Sequence, residues 1–165
     1  MATINRAIVA RIAGAGLVAT ALFTSGFEGV SNKVYVDPVG HVAVCAGHDS
    51  IGLDGKPLKL GQSYSDDVCS YLLGKDTKAA DDAVDATVRV PISAGERLAY
   101  DDFVFNLGRG AFAGSTIVKK LNAGDHPGAC KELLRWVYGK VNGKSVILPG
   151  LMKRRNAEYV ACMQK

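Results

Sequence analysis

The stretch from Phe27 to His48 constrains the fold of this 165-residue chain most, because it combines two acids, a turn and a strand-forming run in a short span. A Pro-Val-Gly turn follows the second acid, Asp37, and a valine-rich run leads from His41 to Cys45. Turn residues between strand-forming segments favour antiparallel pairing. We therefore predict a small antiparallel sheet over residues 33–47.

The two acids of this stretch, Glu28 and Asp37, have the contrasting surroundings that acid–base chemistry requires. Glu28 ends an apolar segment, where loss of hydration disfavours the charged form of a carboxyl. Asp37 stands beside a turn, whose polar groups and open backbone favour an ionised carboxylate. Such a pair is typical of the general acid and general base of glycoside hydrolysis. The structural alternative is a helix-end glutamate and a turn aspartate without chemistry.

The spacing of the whole pattern resembles a known family. E-G-x(5)-Y-x-D-x(2)-G begins at Glu28, and Gly47-His48 follows the aspartate by eleven positions, as in the catalytic lobe of the phage-type lysozymes, glycoside hydrolase family 24. The stretches that resemble the family's long helix and closing helices are Phe103–Gly108, Leu121–Asp125, Arg135-Trp136 and Pro149–Arg155. The resemblance covers about residues 27–162.

The resemblance implies an α+β fold, mainly α, with a small antiparallel β-lobe and an α-helical lobe. It implies a lysozyme catalytic domain over residues 28–165 that hydrolyses the β-1,4 bond between N-acetylmuramic acid and N-acetylglucosamine in peptidoglycan, for host cell lysis. Such an enzyme would work as a monomer without metal or organic cofactor. Glu28 and Asp37 would be catalytic, and three further residues would contact the glycan: Tyr35, Asn106 and Arg154.

One position departs from the family's pattern. The family has a threonine six residues after the aspartate, and the resemblance implies that its hydroxyl helps to hold the attacking water; this chain has Ala43 there. Because side chains alternate along a strand, we expect His41 to share a face with Ala43 and to orient the water instead. The alternatives are a solvent-facing His41 without a role, and a non-catalytic peptidoglycan-binding homologue that Ala43 has disabled.

Residues 1–27 are expected to form a separate N-terminal segment. Two arginines precede an uncharged run, residues 12–27, which is short for a spanning helix of about 20 residues and rich in small side chains. It could be a cleaved signal peptide, with Ala19-Thr20-Ala21 as the cleavage site, or a buried amphipathic helix. We favour a signal-anchor-release segment, as in the secreted phage endolysins that this chain resembles, because the run leads directly into Glu28. The protein would then be exported to the periplasm, tethered inactive to the inner membrane and activated on release.

The four cysteines of a chain expected to be exported favour two disulfides. Of the three pairings, we expect Cys45–Cys69 and Cys130–Cys162, because each joins neighbouring elements. A zinc site at Cys45, His48 and Cys69 is the alternative, and it lacks a fourth ligand. The net charge of +4 comes without a basic stripe interleaved with aromatic residues, so nucleic acid is not an expected partner.

Local signals place the helices of the remaining chain. Ser65 is predicted to cap a helix that runs to about Val84, and Ser93 with Glu96 forms a capping box for a central helix. We predict a tight turn over Gly108–Gly114, then two helices capped by Ser115 and Asp125, the second carrying Trp136. A loop with Gly139, Gly143 and Lys144 is expected before a last helix that begins at Pro149.

Overall fold

The structure is a computed structural model and describes residues 3–37, 40–49, 51–141 and 143–164. It is mainly helical, with a small antiparallel sheet and a separate β-hairpin. The predicted α+β class is therefore confirmed. The chain forms two compact units, Met1–Lys78 and Ala79–Lys165.

The first unit begins with two helices in the segment predicted to be an anchor. Helix α1 (Arg6–Ala13) is capped by the side chain of Asn5, and a 3-10 turn over Ala15–Leu17 leads into α2 (Val18–Glu28). Gly14 separates α1 from the turn with a φ of 97°, a left-handed conformation that favours glycine. None of the helices formed by the described residues has both the length and the apolar character needed to span a bilayer.

The N-terminal helices pack against the part of helix α3 (Asp66–Asp85) that belongs to the first unit. The Asn5 N–H donates to Ser70 Oγ at 2.8 Å, and Gly74 lies so close to α1 that a Cβ there would sit 3.1 Å from Ile12 Cβ. Buried small and apolar side chains line the N-terminal helices: Val9, Ala13, Leu17, Thr20, Ala21 and Thr24. The uncharged run is therefore part of the folded first unit.

Three short strands form the predicted sheet, in the order β1 (Ser31–Val36), β2 (Val42–Cys45) and β3 (His48–Asp49). All pairs are antiparallel, and Tyr35 lies opposite Ala43. The sheet packs its apolar side on α3, through Val34, Val44, Leu58, Cys69 and Leu72. The predicted turn at Pro38 and Val39 lies outside the described residues.

The second unit is helical around a core of aromatic side chains. The helices after α3 are α4 (Ala94–Ala113), α5 (Thr116–Asn122), α6 (His126–Glu132) and α7 (Pro149–Cys162). The caps predicted at Ser93, Ser115 and Asp125 are all present, and Pro149 begins the last helix as predicted. Phe103 lies at the centre, with the Trp136 ring edge-on at 5.1 Å.

Three sequence predictions in the second unit were wrong. Residues Gly108–Gly114 do not form one tight turn, because α4 continues to Ala113 across a kink at Gly108, where φ is 83°. Trp136 does not lie in α6, since that helix ends at Glu132 and a 3-10 turn over Leu133–Arg135 follows. The predicted loop before Pro149 is a β-hairpin, β4 (Tyr138–Val141) and β5 (Lys144–Ile147).

Both predicted disulfides are confirmed. Cys45 and Cys69 are bonded with their Cα atoms 5.0 Å apart, and Cys130 and Cys162 with theirs 5.7 Å apart. The first bridge joins β2 to α3 and the second joins α6 to α7. Because Cys45 and Cys69 are oxidised to each other, the zinc alternative is excluded.

Candidate active site

Glu28 lies at the point where helix α2 ends and the sheet begins. The helix stops there because Gly29 takes a φ of 68°, and the chain turns directly into β1. The Glu28 carboxyl is half-buried and lies against Gly47, where a Cβ would be 3.1 Å from Glu28 Oε2. Only a residue without a side chain leaves that carboxyl undisturbed, which explains the glycine of the Gly47-His48 pair.

Asp37 lies just after β1, in a turn built from its own hydrogen bonds. Its main-chain N–H donates to the His41 carbonyl at 2.8 Å, and its Oδ1 accepts from the His41 N–H at 2.8 Å. Gly40 closes the turn by donating its N–H to the Asp37 carbonyl at 3.0 Å. These bonds orient the Asp37 carboxylate, whose side chain remains partly exposed.

Tyr35 connects the two acids. Burial is the largest cause that raises the pKa of the Tyr35 hydroxyl, and the negative charges of Glu28 and Asp37 raise it further. Both carboxylates therefore act on the same phenol, which lies on β1 between them in the chain. The structure thus brings together three of the predicted site residues: Glu28, Asp37 and Tyr35.

Ala43 and His41 differ in exposure. Ala43 is 3% exposed and lies on β2, opposite Tyr35 on one side and Asp49 on the other. His41 precedes β2, and its side chain is 68% exposed, with Nδ1 3.7 Å from Asp37 Oδ2. The imidazole is therefore next to the Asp37 carboxylate and open to water, whereas the methyl group of Ala43 is enclosed.

His48 and Asp76 form an ion pair between β3 and α3 that the sequence analysis missed. His48 Nδ1 lies 2.7 Å from Asp76 Oδ2, and Nε2 lies 2.9 Å from the carbonyl oxygen of Ile51. A carbonyl and a carboxylate only accept, so both ring nitrogens must carry protons. The hydrogen bond to Asp76 is the largest cause that raises the pKa of His48, and burial opposes it. This imidazolium fixes the residue next to Gly47.

A pocket of about 440 Å³ adjoins the Asp37 turn within the first unit. Its lining residues come from that turn, from β2, from β3 and from the following loop: Gly40, His41, Val42, Asp49, Pro57 and Leu58. Its walls mix polar and apolar groups, as a sugar ring requires. Ligand pockets usually range from about 300 to 1,000 Å³, so the pocket has room for part of a glycan chain.

The other predicted glycan contacts, Asn106 and Arg154, lie where α4 packs on α7 in the second unit. Arg154 is 4% exposed and donates from Nε and Nη2 to both oxygens of Asp102, each at 2.8 Å. Asn106 accepts from Arg155 Nη2 at 2.8 Å. Both residues are engaged in bonds between these two helices, and their contact with glycan stays a prediction.

Comparison with known proteins identifies the class. The family model described as phage lysozyme matches residues 25–158, which include the acids, the sheet and most of the second unit. The chain belongs to the phage lysozyme family. It is a glycoside hydrolase, and peptidoglycan is the substrate of this class of enzyme.

Individual relatives match over nearly the whole chain. A SAR-endolysin of Bacteriophage PS119 is 36% identical over 97% of this chain and 94% of its own length. A SAR-endolysin of Enterobacteria phage P21 is 36% identical over 98% of this chain and 96% of its own length. Among solved structures, an endolysin from the Escherichia coli O157:H7 phage FAHEc1 superimposes with a TM-score of 0.78 at 30% identity, covering 90% of both chains. The two SAR-endolysin matches leave only 2–3% of this chain uncovered, so they include the N-terminal helices.

Proposed function

We propose that the protein is a phage endolysin with muramidase activity, in which Glu28 and Asp37 hydrolyse the β-1,4 bond between N-acetylmuramic acid and N-acetylglucosamine. The observation that carries the proposal is the placement of the two acids on either side of β1, with Glu28 at the end of α2 against Gly47 and Asp37 held by the His41 main chain. Glycosidic cleavage needs two carboxyl groups that flank the scissile bond, and a pocket large enough for a sugar adjoins the Asp37 turn. Tyr35 would contact the sugar at the centre of this site.

In the proposed reaction, Glu28 gives its proton to the glycosidic oxygen while the C1–O bond breaks. Asp37 takes a proton from a water molecule, and the water oxygen bonds to C1 from the opposite face. A single displacement of this kind inverts the configuration at C1. The bonds from the His41 main chain hold Asp37 for this task, and the close approach of Gly47 restricts Glu28.

His41 is the proposed substitute for the family's threonine. Ala43 has no polar group and its methyl is enclosed, so it cannot hold the water. The exposed His41 ring next to Asp37 Oδ2 can donate to or accept from a water at that carboxylate. Loss of one such hydrogen bond costs about 1 kcal/mol, so His41→Ala should lower kcat roughly fivefold, with less effect on KM.

The test is release of reducing ends from purified peptidoglycan by the oxidised protein. We expect Glu28→Gln and Asp37→Asn each to remove turnover, and Asp54→Asn, which neutralises an exposed acid in the loop after β3, to preserve it. Circular dichroism would show that each variant is folded. An inert wild type with an active Ala43→Thr variant would overturn the proposal in favour of a non-catalytic peptidoglycan-binding homologue. Retention of activity in Glu28→Gln would exclude the acid role.

We further propose that residues 1–27 act as a signal-anchor-release segment, so that the protein is first tethered to the inner membrane and becomes active in the periplasm on release. Residues 12–27 carry no charge, and the relatives that match this chain nearly end to end are named SAR-endolysins. The buried positions of Val9, Leu17 and Ala21 support a released form in which the segment is part of the first unit. In the membrane, the same segment could not place Glu28 at the end of a packed α2.

Two glycines of the segment allow a direct test. Cβ atoms at Gly16 and Gly26 would meet nothing within 4 Å, so leucine at both sites should leave the released fold intact while making the segment more apolar. We expect Gly16→Leu/Gly26→Leu to stay in the membrane fraction longer and to lyse cells later after the membrane is depolarised. Gly110→Leu, at an equally open position in α4, is the matched control. Equal membrane fractions for all three proteins would contradict the anchor.

A further inference from the structure

The hairpin of strands β4 and β5 exposes apolar side chains to an unusual degree. We define the hairpin surface as Tyr138, Lys140, Val141, Lys144, Val146 and Ile147. Tyr138 is 60% exposed and Ile147 is 50% exposed, and Val141 and Val146 are also exposed. Clustered exposed apolar groups on a protein surface mark a site that contacts another protein or a membrane.

The register of the hairpin distributes these groups over both of its faces. Tyr138 lies opposite Ile147, and Val141 lies opposite Lys144. Because opposite residues of an antiparallel pair share a face and neighbours alternate, Lys140 shares the face of Tyr138 and Ile147. Each face therefore presents apolar side chains together with one lysine. A surface that binds either face would contact both kinds of group.

The charge around the hairpin has one sign. From Leu133 to Ala157 the sequence contains arginines and lysines and no acidic residue. Two of these arginines, Arg154 and Arg155, are buried and paired with acids of the helical core. Lys140, Lys144 and Lys153 are exposed, and no acid of the same stretch offsets their charge.

We propose that the hairpin surface binds the headgroup region of a bilayer that contains anionic phospholipid. Lysines attract such a surface, and tyrosine and branched aliphatic side chains partition into its interface. An anionic wall polymer would satisfy the lysines but would leave Tyr138, Val146 and Ile147 in water, so the apolar groups favour lipid. The contact lies in the second unit and is separate from the N-terminal segment, and it does not depend on the catalytic proposal.

The single tryptophan makes this contact measurable in the full chain. Trp136 is two residues before Tyr138, within about 7 Å along the chain, so its quenching by lipid-borne quenchers reports on the hairpin and not on the N-terminal segment. The oxidised protein is titrated with vesicles of phosphatidylcholine alone or with phosphatidylglycerol added, each carrying a quencher in the headgroup region. We expect Trp136 quenching with the anionic vesicles and little with the neutral ones.

Variants of the hairpin surface then separate its charge from its apolar groups. Each lysine near an anionic surface contributes about fivefold to partitioning, so Lys140→Gln/Lys144→Gln should weaken vesicle binding roughly 25-fold. Tyr138→Ser/Ile147→Ser should weaken vesicle binding at low salt and also at high salt, where the charge contribution of the lysines is screened. The controls are Lys56→Gln/Lys59→Gln, two exposed lysines of the first unit, and Val160→Ser, an exposed aliphatic residue of α7.

Three outcomes would overturn the proposal. In the first, Trp136 is not quenched by anionic vesicles. In the second, the control variants weaken binding as much as the hairpin variants do. In the third, the hairpin variants bind vesicles normally and lose affinity for isolated cell-wall polymer or for a second copy of the chain, as sedimentation would show. None of these readouts requires turnover of peptidoglycan.

Discussion

Asp101 is fully buried in α4, and neither of its carboxyl oxygens has a hydrogen-bond partner among the described residues. Burial is the largest cause that raises the pKa of Asp101 to about 8; the charges of Asp81, Asp85 and Asp102 raise it too, and Arg97 opposes them. The folded protein therefore binds a proton at Asp101 that the unfolded chain releases near pH 4. The contribution of Asp101 to the free energy of unfolding is therefore most favourable below about pH 4, and it falls as the pH rises to about 8.

Asp101→Asn removes this titration while keeping the shape of the side chain. The amide will also lack a partner, which offsets part of the gain, so we expect the variant to be more stable by roughly 2–4 kcal/mol at pH 8. The advantage should shrink as the pH falls towards 4. Urea unfolding across this range would measure it, with Asp82→Asn on the exposed face of α3 as control. A gain that does not depend on pH would exclude the proton at Asp101 as its cause.

The ion pair of His48 and Asp76 also stabilises the protein less as the pH rises. Here the titrating group is a cation, the protonated His48, and not an acid. The pKa of His48 is raised in the folded protein, so its stabilisation is fully present below pH 6.5 and is lost as the pH rises through the folded-state value. We expect the wild type to lose about 1.5–3 kcal/mol of its free energy of unfolding over this window, the range for hydrogen bonds to charged groups. His48→Asn should lose that slope, whereas variants of the largely exposed His41 should keep it. Equal slopes for wild type and His48→Asn would contradict the assignment.

These residues show where the sequence limits prediction of a site. Glu28, Asp37 and Tyr35 lie close in the chain, so their spacing alone suggested a common site. Asp76 gives no such signal, because its partner His48 is 28 positions away and no local pattern marks the pair. The burial of Asp101 was equally invisible, since it depends on how α4 is packed.

At the scale of elements, local sequence signals predicted the helix starts correctly. A local signal for the β4–β5 hairpin was overlooked. The caps at Ser93, Ser115 and Asp125 act on backbone groups within three residues, so the sequence alone placed these helix starts. The hairpin β4–β5 was predicted as a loop because Gly139 and Gly143 resemble loop residues. Asn-Gly at positions 142 and 143, between valine-containing runs, is a strong hairpin signal and would have identified it.

The N-terminal segment shows a limit of a different kind. Its lack of charge predicted a membrane-related role, whereas the structure places it in the packed first unit. A segment that must enter a bilayer and later pack in a folded protein matches the sequence pattern of each environment only in part. Alanine, glycine and threonine suit close packing against α3, where Gly74 contacts Ile12, and they suit a bilayer poorly.

At the scale of the whole molecule, each disulfide closes a loop within one of the two units. Cys45–Cys69 spans 24 residues in the first unit, and Cys130–Cys162 spans 32 residues in the second. Closing loops of this length stabilises a protein by roughly 3–4 kcal/mol, chiefly by restricting the unfolded chain. Stability therefore depends on an oxidising compartment, which agrees with the proposed export to the periplasm.

Removal of the bridges should reveal this arrangement. We expect Cys130→Ala/Cys162→Ala to lower the Tm by about 10 °C for a chain of this size. The fluorescence of Trp136 would report the unfolding of the second unit. Cys45→Ala/Cys69→Ala should destabilise the first unit by a similar amount. Faster proteolysis of α1 and α2 would report that loss. Because the bridges share no residue and lie in different units, their losses should add in the quadruple variant. A combined loss no larger than either single loss would show that one bridge alone maintains both units, against the division seen here.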